Sequence, residues 1–227
     1  MSIDSTMQFL CILGEFLVLV LALYRKVGRV LPVFTCYVGW SLLSDVTFLL
    51  LAPWLRSESL WLWRVGAYTD LALQPLVLIE IAWSVLRPIM VGFGRSSVGI
   101  LGGIAALAAL AIWPITGKFT PFDFGPNAGA SFRLELTAQI LRLFWFFGLA
   151  FVSHVLSLAW KARTLQVAAG LFVYSFVNLV VTALELHAGT QSSHHWLGQL
   201  TTLSYLGALG YWIASFSKPT VSAPAAT

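Results

Sequence analysis

The fold class the sequence predicts is an all-α integral membrane bundle of seven transmembrane helices, and three observations predict it. The apolar residues come in runs of about twenty, the length a helix needs to cross a hydrocarbon core of roughly 30 Å. Of the 227 residues, 59% are hydrophobic and 10% charged, with mean hydropathy +0.86, whereas a soluble domain carries about 25% charged residues. The runs do not alternate polar and apolar, as Val98 to Ile112 illustrates, so they cannot be the strands of a membrane barrel, which alternate over roughly ten residues. Helices remain, because lipid offers no partner to an unpaired backbone amide.

The predicted spans are Thr6 to Tyr24, Leu31 to Pro53, Leu60 to Leu86, Val98 to Thr116, Phe132 to Trp160, Leu165 to His187 and Trp196 to Phe216. Basic residues end the odd-numbered spans: Arg25, Lys26 and Arg29 follow the first, Arg87 and Arg95 the third, Lys161 and Arg163 the fifth, and Lys218 the seventh. The positive-inside rule puts those loops in the cytoplasm, with the N-terminus outside and the C-terminus inside. The other loops carry mixed charge: Arg56, Glu58 and Arg64, then Lys118 and Asp123, then Glu185 with three histidines. The first span has Asp4 before it and its basic cluster after it, the reverse of a secretory signal peptide. The expected address is therefore a bacterial cytoplasmic membrane, crossed many times.

The fourth span is rich in small residues, including Gly99, Gly102, Gly103, Ala105 and Ala106, which suits close approach by a neighbouring helix. The longest loop, Gly117 to Ser131, holds Pro121, Gly125, Pro126 and Gly129 and is expected to be an ordered turn or lid. Residues 1–217 form the membrane domain, and the Pro- and Ala-containing stretch 218–227 reads as a disordered tail. Cys11 and Cys36 lie in apolar segments near opposite faces and read as packing residues. The net charge of +4 is a topology signal, so no nucleic-acid partner is expected; the lipid bilayer is the certain one.

Ionisable groups inside a span cost about 2.5–3.5 kcal/mol each near the bilayer centre, so each needs a partner or a wet cavity. Asp45 lies roughly 20 Å from the start of its helix at 1.5 Å per residue, and Asp70, Arg142 and Glu15 fall at compatible depth. An Arg fork can hold two carboxylates, so Arg142 is expected to face one or more of these acids. Helix three presents Asp70 and Gln74 on one face beside Pro75. Glu80, one turn before Ser84, stands at the depth of His154, and the two are candidates for a proton relay. Helix six presents Tyr174, Asn178, Thr182 and Glu185, and helix seven adds Gln199, Thr202 and Tyr205. Two facing polar stripes imply a hydrated, outward-opening cavity, whose expected binding residues are Asp45, Asp70, Gln74, Arg142, Asn178 and Tyr205. His187, His194 and His195 gather in one loop and are the candidate metal ligands, although their spacing matches no metal motif.

The run Tyr68-Thr69-Asp70 with Pro75 and Glu80 resembles, over about thirteen residues, the third helix of microbial rhodopsins. Helix seven has no lysine for a Schiff base, so no retinal is expected. Seven-helix sugar transporters carry prolines inside the first two helices of each repeat, which helices one, five and six lack, and the zinc hydrolases of the ceramidase kind need a HxxxH that helix seven lacks. With Tyr37 and Trp40 on helix two, Glu80 on helix three and Arg87 at its end, the chain resembles small bacterial seven-helix membrane proteins of unknown activity. That resemblance implies the fold and no chemistry. The functional expectation is binding of a small molecule or lipid for sensing or for signalling through a membrane partner. A proton-coupled or facilitative transporter is the alternative, a structural subunit of a membrane complex the second, and an enzyme would depend on metal at the histidine loop.

Overall fold

The computed structural model describes residues 3–51, 59–90, 96–118, 126–155, 162–188 and 195–218. Among them are seven α-helices and no strand: α1 (Ile3–Tyr24), α2 (Pro32–Leu51), α3 (Ser59–Met90), α4 (Ser96–Gly117), α5 (Pro126–Val155), α6 (Ala162–Ala188) and α7 (His195–Ser217), with a 3-10 turn at Val27–Arg29 between the first two. Six of these, α1 to α6, are long and apolar enough to cross a membrane. α5 begins at Pro126 and not near Phe132, because proline suits the first turn of a helix, where its missing N–H has no partner to lose. The rest of the expected lid, and the tail beyond Lys218, lie outside the described residues.

α7 lacks an apolar stretch of the kind the other six carry, yet it runs parallel to α1 along its full length. Three contacts fix that register: Gln199 Nε2 donates to Asp4 Oδ1 (3.3 Å), Tyr205 OH to Glu15 Oε1 (2.5 Å), and Arg25 Nη2 to the Ser217 carbonyl (2.7 Å). Its other flank packs on α6, where Thr201 Oγ1 donates to Asn178 Oδ1 at 3.4 Å. The polar side chains that lower the hydropathy of α7 are thus directed at neighbouring helices. α1, α2, α3, α5, α6 and α7 adjoin in a closed sequence, with α3 also reaching α6, while α4 packs only on α3 and α5 among its principal contacts. Gly99 and Gly103 of α4 face open space, and Leu107 and Leu110 are 68% and 69% exposed. Those two glycines meet no neighbouring helix, whereas Ala105 of α4 is buried in the core and Ala108 and Ala109 pack against it.

The densest packing lies toward the end where the basic residues gather. Leu31, Phe34, Trp212 and Phe216 are essentially fully buried, and Phe34 meets Trp212 edge-on at 5.1 Å and Phe216 at 6.4 Å. Gly170 lets the indole of Trp212 approach α6, since a Cβ there would fall 2.6 Å from Cε2; the indole Nε1 donates to the Gln166 carbonyl at 3.2 Å. Two helix ends are closed here by side chains from other helices. Arg163 donates to the carbonyls of Ser215 (2.9 Å) and Lys218 (3.1 Å), joining Arg25 on the last turn of α7, where free carbonyls favour a cation. At the start of α2, the Glu80 carboxylate accepts from the amides of Val33 (2.7 Å) and Phe34 (2.9 Å).

Glu80 therefore acts as an N-cap supplied by α3, and its hydrogen bonds go to α2 and not to His154. Both carboxylate oxygens are taken by α2, and His154 is exposed on α5. α2 has Leu31 and Pro32 at its start and no polar cap of its own, so its free N–H groups need a carboxylate from elsewhere. Replacing Glu80 by Gln should lower stability by about 2 kcal/mol, the scale of charge-assisted hydrogen bonds, read as a lower unfolding midpoint in detergent. Gly170→Ala should lower it by about 1–3 kcal/mol through overpacking, and the additional Trp212→Phe change, which removes the clashing atoms, should recover part of that loss.

Candidate functional site

A cavity of about 490 Å³ is lined by residues of α1, α2, α3, α6 and α7. It occupies the middle of the bundle and the half away from the basic end. α2 supplies most of the wall through residues that recur one turn apart, Tyr37, Ser41 and Asp45, flanked by Trp40 and Ser44. α3 faces it with Val65, Gly66 and Asp70, while α1, α6 and α7 contribute Glu15, Tyr174 and Tyr205. At Gly66 a Cβ would stand 2.6 Å from Ser44 Oγ, so glycine is what allows α2 and α3 to meet beside the cavity.

Glu15 has no solvent exposure and joins three helices. Its Oε1 accepts from Ser41 Oγ (2.7 Å) and Tyr205 OH (2.5 Å), and those two hydroxyls stand 3.3 Å apart. Its Oε2 is buried with no hydrogen-bond partner, as is the indole Nε1 of Trp40 on the same wall. Buried polar atoms in native proteins are nearly always satisfied, so these two are exceptions on the cavity wall. Asp70 accepts from Gln74 Nε2 at 2.6 Å. Glu15, Asp45 and Asp70 stand close enough to interact electrostatically with one another, and among the described residues no three His, Cys, Asp or Glu converge as a metal site requires.

The six expected binding residues separate into two groups. Asp45, Asp70 and Tyr205 are on the cavity wall. Gln74 stands behind Asp70, with its own Oε1 buried and unpaired. Arg142 is buried behind Tyr174, its guanidinium carbon 5.7 Å from the ring centre; it interacts electrostatically with Asp70 through that layer. Its Nε donates to the Ala138 carbonyl at 3.3 Å and its Nη1 has no partner, so neither edge of the guanidinium makes the expected two-pronged fork on a carboxylate. Asn178 is spent on the α6–α7 contact.

Tyr37, Ser41 and Ser44 are among the wall residues that the sequence reading did not select, while Tyr174 was named only as part of the stripe on helix six. The four-residue spacing of Tyr37, Ser41 and Asp45 was the signal that could have found them. The loop histidines His187, His194 and His195 lie outside the residues whose side chains are described. Cys11 is buried and Cys36 exposed, both as free thiols.

Comparison with protein-family models, curated proteins and solved structures finds no match. The site's chemistry therefore rests on its own residues. Tyr205→Phe should cost about 1–3 kcal/mol, because it leaves a buried carboxylate oxygen one donor short; the thermal midpoint should fall, and Ser41→Ala should lower it further.

Proposed function

We propose that this protein binds a small molecule or lipid in the cavity between α1, α2, α3, α6 and α7, for sensing or for signalling through a membrane partner. The observation that carries the reading is a cavity between five helices, lined by acids and aromatic rings, with unsatisfied buried polar atoms on its wall. Its volume falls within the roughly 300–1,000 Å³ of ligand pockets. Below it, the packing of Phe34, Trp212 and Phe216 fills the route to the basic end. A transporter would have to undo that packing in each cycle, which favours binding over passage.

α7 is read as a seventh crossing because its contacts with α1 extend from Asp4 to Arg25, so it covers the depth that α1 covers. With the basic end in the cytoplasm by the positive-inside rule, the N-terminus is outside and the cavity lies in the outer half. The resemblance to small bacterial seven-helix proteins favours a bacterial cytoplasmic membrane.

Two measurements test the reading. In a Cys36→Ser background, Thr47→Cys on the cavity wall should react with a membrane-impermeant thiol reagent applied from outside, while Cys11 stays inert; an unreactive Thr47→Cys would remove the outward cavity. In a thermal panel of amines, sugars, lipids and carboxylates, a ligand of the native state should raise the unfolding midpoint by mass action, by about 2.7 kcal/mol of stabilisation at a hundred times its dissociation constant. Flux of that ligand into proteoliposomes would replace binding by transport.

A further inference from the structure

The wall of the cavity carries carboxyl groups from three helices. Glu15, Asp45 and Asp70 are three carboxyl groups near one another, and among the described residues no basic side chain lines the cavity with them. Arg142, the cation nearest in the bundle's middle, is separated from the lumen by the Tyr174 ring that its guanidinium faces. In a medium that solvates ions poorly, like charges in one chamber call for an opposite charge among them. An anionic ligand would add to the repulsion. A neutral sugar would supply hydroxyl donors but leave the charge unbalanced.

The remaining wall is aromatic. Tyr37, Trp40, Phe48, Tyr174 and Tyr205 surround the acids, and Tyr174 and Tyr205 stand with ring centres 5.4 Å apart. Aromatic faces beside carboxylates form the surroundings in which an ammonium group is held, because the ring quadrupole attracts a cation. Asp45 and Asp70, which are partly exposed on the wall, are the acceptors such a group would meet, with the buried Glu15 behind them. The rim adds an apolar edge: Leu43, Phe48 and Val65 line the cavity and are also 57%, 37% and 36% exposed, on surfaces of α2 and α3 that face lipid.

We propose that the ligand is an organic cation, an amine or quaternary ammonium with an apolar substituent. Its charged head sits among Glu15, Asp45 and Asp70, and its apolar part lies along Tyr37, Trp40 and Phe48 toward the gap between α2 and α3. The proposal rests on the cavity being a binding site and adds the class of ligand. The same ammonium chemistry is found in a free amine and in the headgroup of phosphatidylethanolamine, and the test separates the two.

The protein is purified in a polyoxyethylene detergent, which offers neither ammonium nor sugar, and titrated calorimetrically with phenylethylammonium, phenylethanol, phenylpropionate, glucose and sodium chloride. Saturable binding is expected for phenylethylammonium alone. Asp45→Asn and Glu15→Gln should each weaken it on the order of ten-fold, the scale of one charge-assisted hydrogen bond, while Asp4→Asn, at the far end of α1, should leave it unchanged. If Glu15→Gln fails to fold, Asp45→Asn carries the comparison, since it keeps the side chain's shape. Transfer to nanodiscs of phosphatidylglycerol should preserve binding. Adding phosphatidylethanolamine to the discs should suppress it if the headgroup is the resident ligand and leave it intact if a free amine is; both results uphold the ammonium site.

Equal or tighter binding of phenylethanol, phenylpropionate or glucose would overturn the cation assignment while keeping the cavity as a binding site. Displacement of the probe by sodium at millimolar concentration would assign the chamber to an inorganic cation and overturn it as well. No binding by any compound, together with an unreactive Thr47→Cys, would remove both the ligand class and the binding role.

Discussion

A carboxylate inside a membrane has to find its donors within the protein, and Glu15 finds them on two other helices. Ser41 of α2 and Tyr205 of α7 converge on one of its oxygens, which sets the relative heights of α1, α2 and α7. The other contacts along α1 and α7, at Asp4 with Gln199 and at Arg25 with Ser217, agree with that height. Lipid contributes no hydrophobic force between helices, so packing and polar ties such as these decide register. Because the tie uses one oxygen of Glu15 and leaves the other unpaired, the interaction that orders the bundle also leaves a demand unmet inside it.

The two halves of the bundle resolve their polar groups in different ways. At the basic end two helix termini are closed by charged side chains from elsewhere in the bundle: Glu80 on the amides of α2, and Arg25 and Arg163 on the carbonyls of α7. Between those ends the core is aromatic and aliphatic and nearly free of polar atoms, with Leu31, Phe34, Trp212 and Phe216 filling it. In the other half the polar groups face a cavity and each other. Stability is concentrated where the charges are satisfied, and space is retained where they are not. A site that must accept a ligand has to keep some of its hydrogen-bonding capacity unspent.

The helices were legible because a hydrocarbon core imposes a length, and the runs of apolar residues keep that length from α1 to α6. α7 was legible as a helix, but its span is supported by contacts and not by its composition, since Gln199, Thr201 and Tyr205 direct their polarity at α1 and α6. Asp45 and Asp70 were picked out by depth, because an acid midway along a span has few places to go, and Tyr205 by the polar stripe on helix seven. Depth does not say which neighbour a side chain meets. Arg142 and Glu80 stood at the right levels for the partners expected of them, yet Arg142 turned to Tyr174 and a carbonyl, and Glu80 to backbone amides. The cap was written in the sequence indirectly, as a helix start with Leu31 and Pro32 where a polar cap would ordinarily stand. An orphaned helix end and an acid on the next helix at the same depth are two halves of one interaction, and neither half is readable by itself.

Arg142 also explains why the cavity keeps its charge. Had the guanidinium entered the chamber, it would have joined Asp70 in a fork and neutralised one of the three acids within the protein. Tyr174 lies between them, with Arg142 on one side and the cavity on the other. The arginine still acts on Asp70 at a distance, which tempers the repulsion among the acids without occupying the space. One ring thus divides a charge that holds the wall together from charges that are left for something else to meet, and the apparent mismatch of three acids with no cation is a property of where Tyr174 stands.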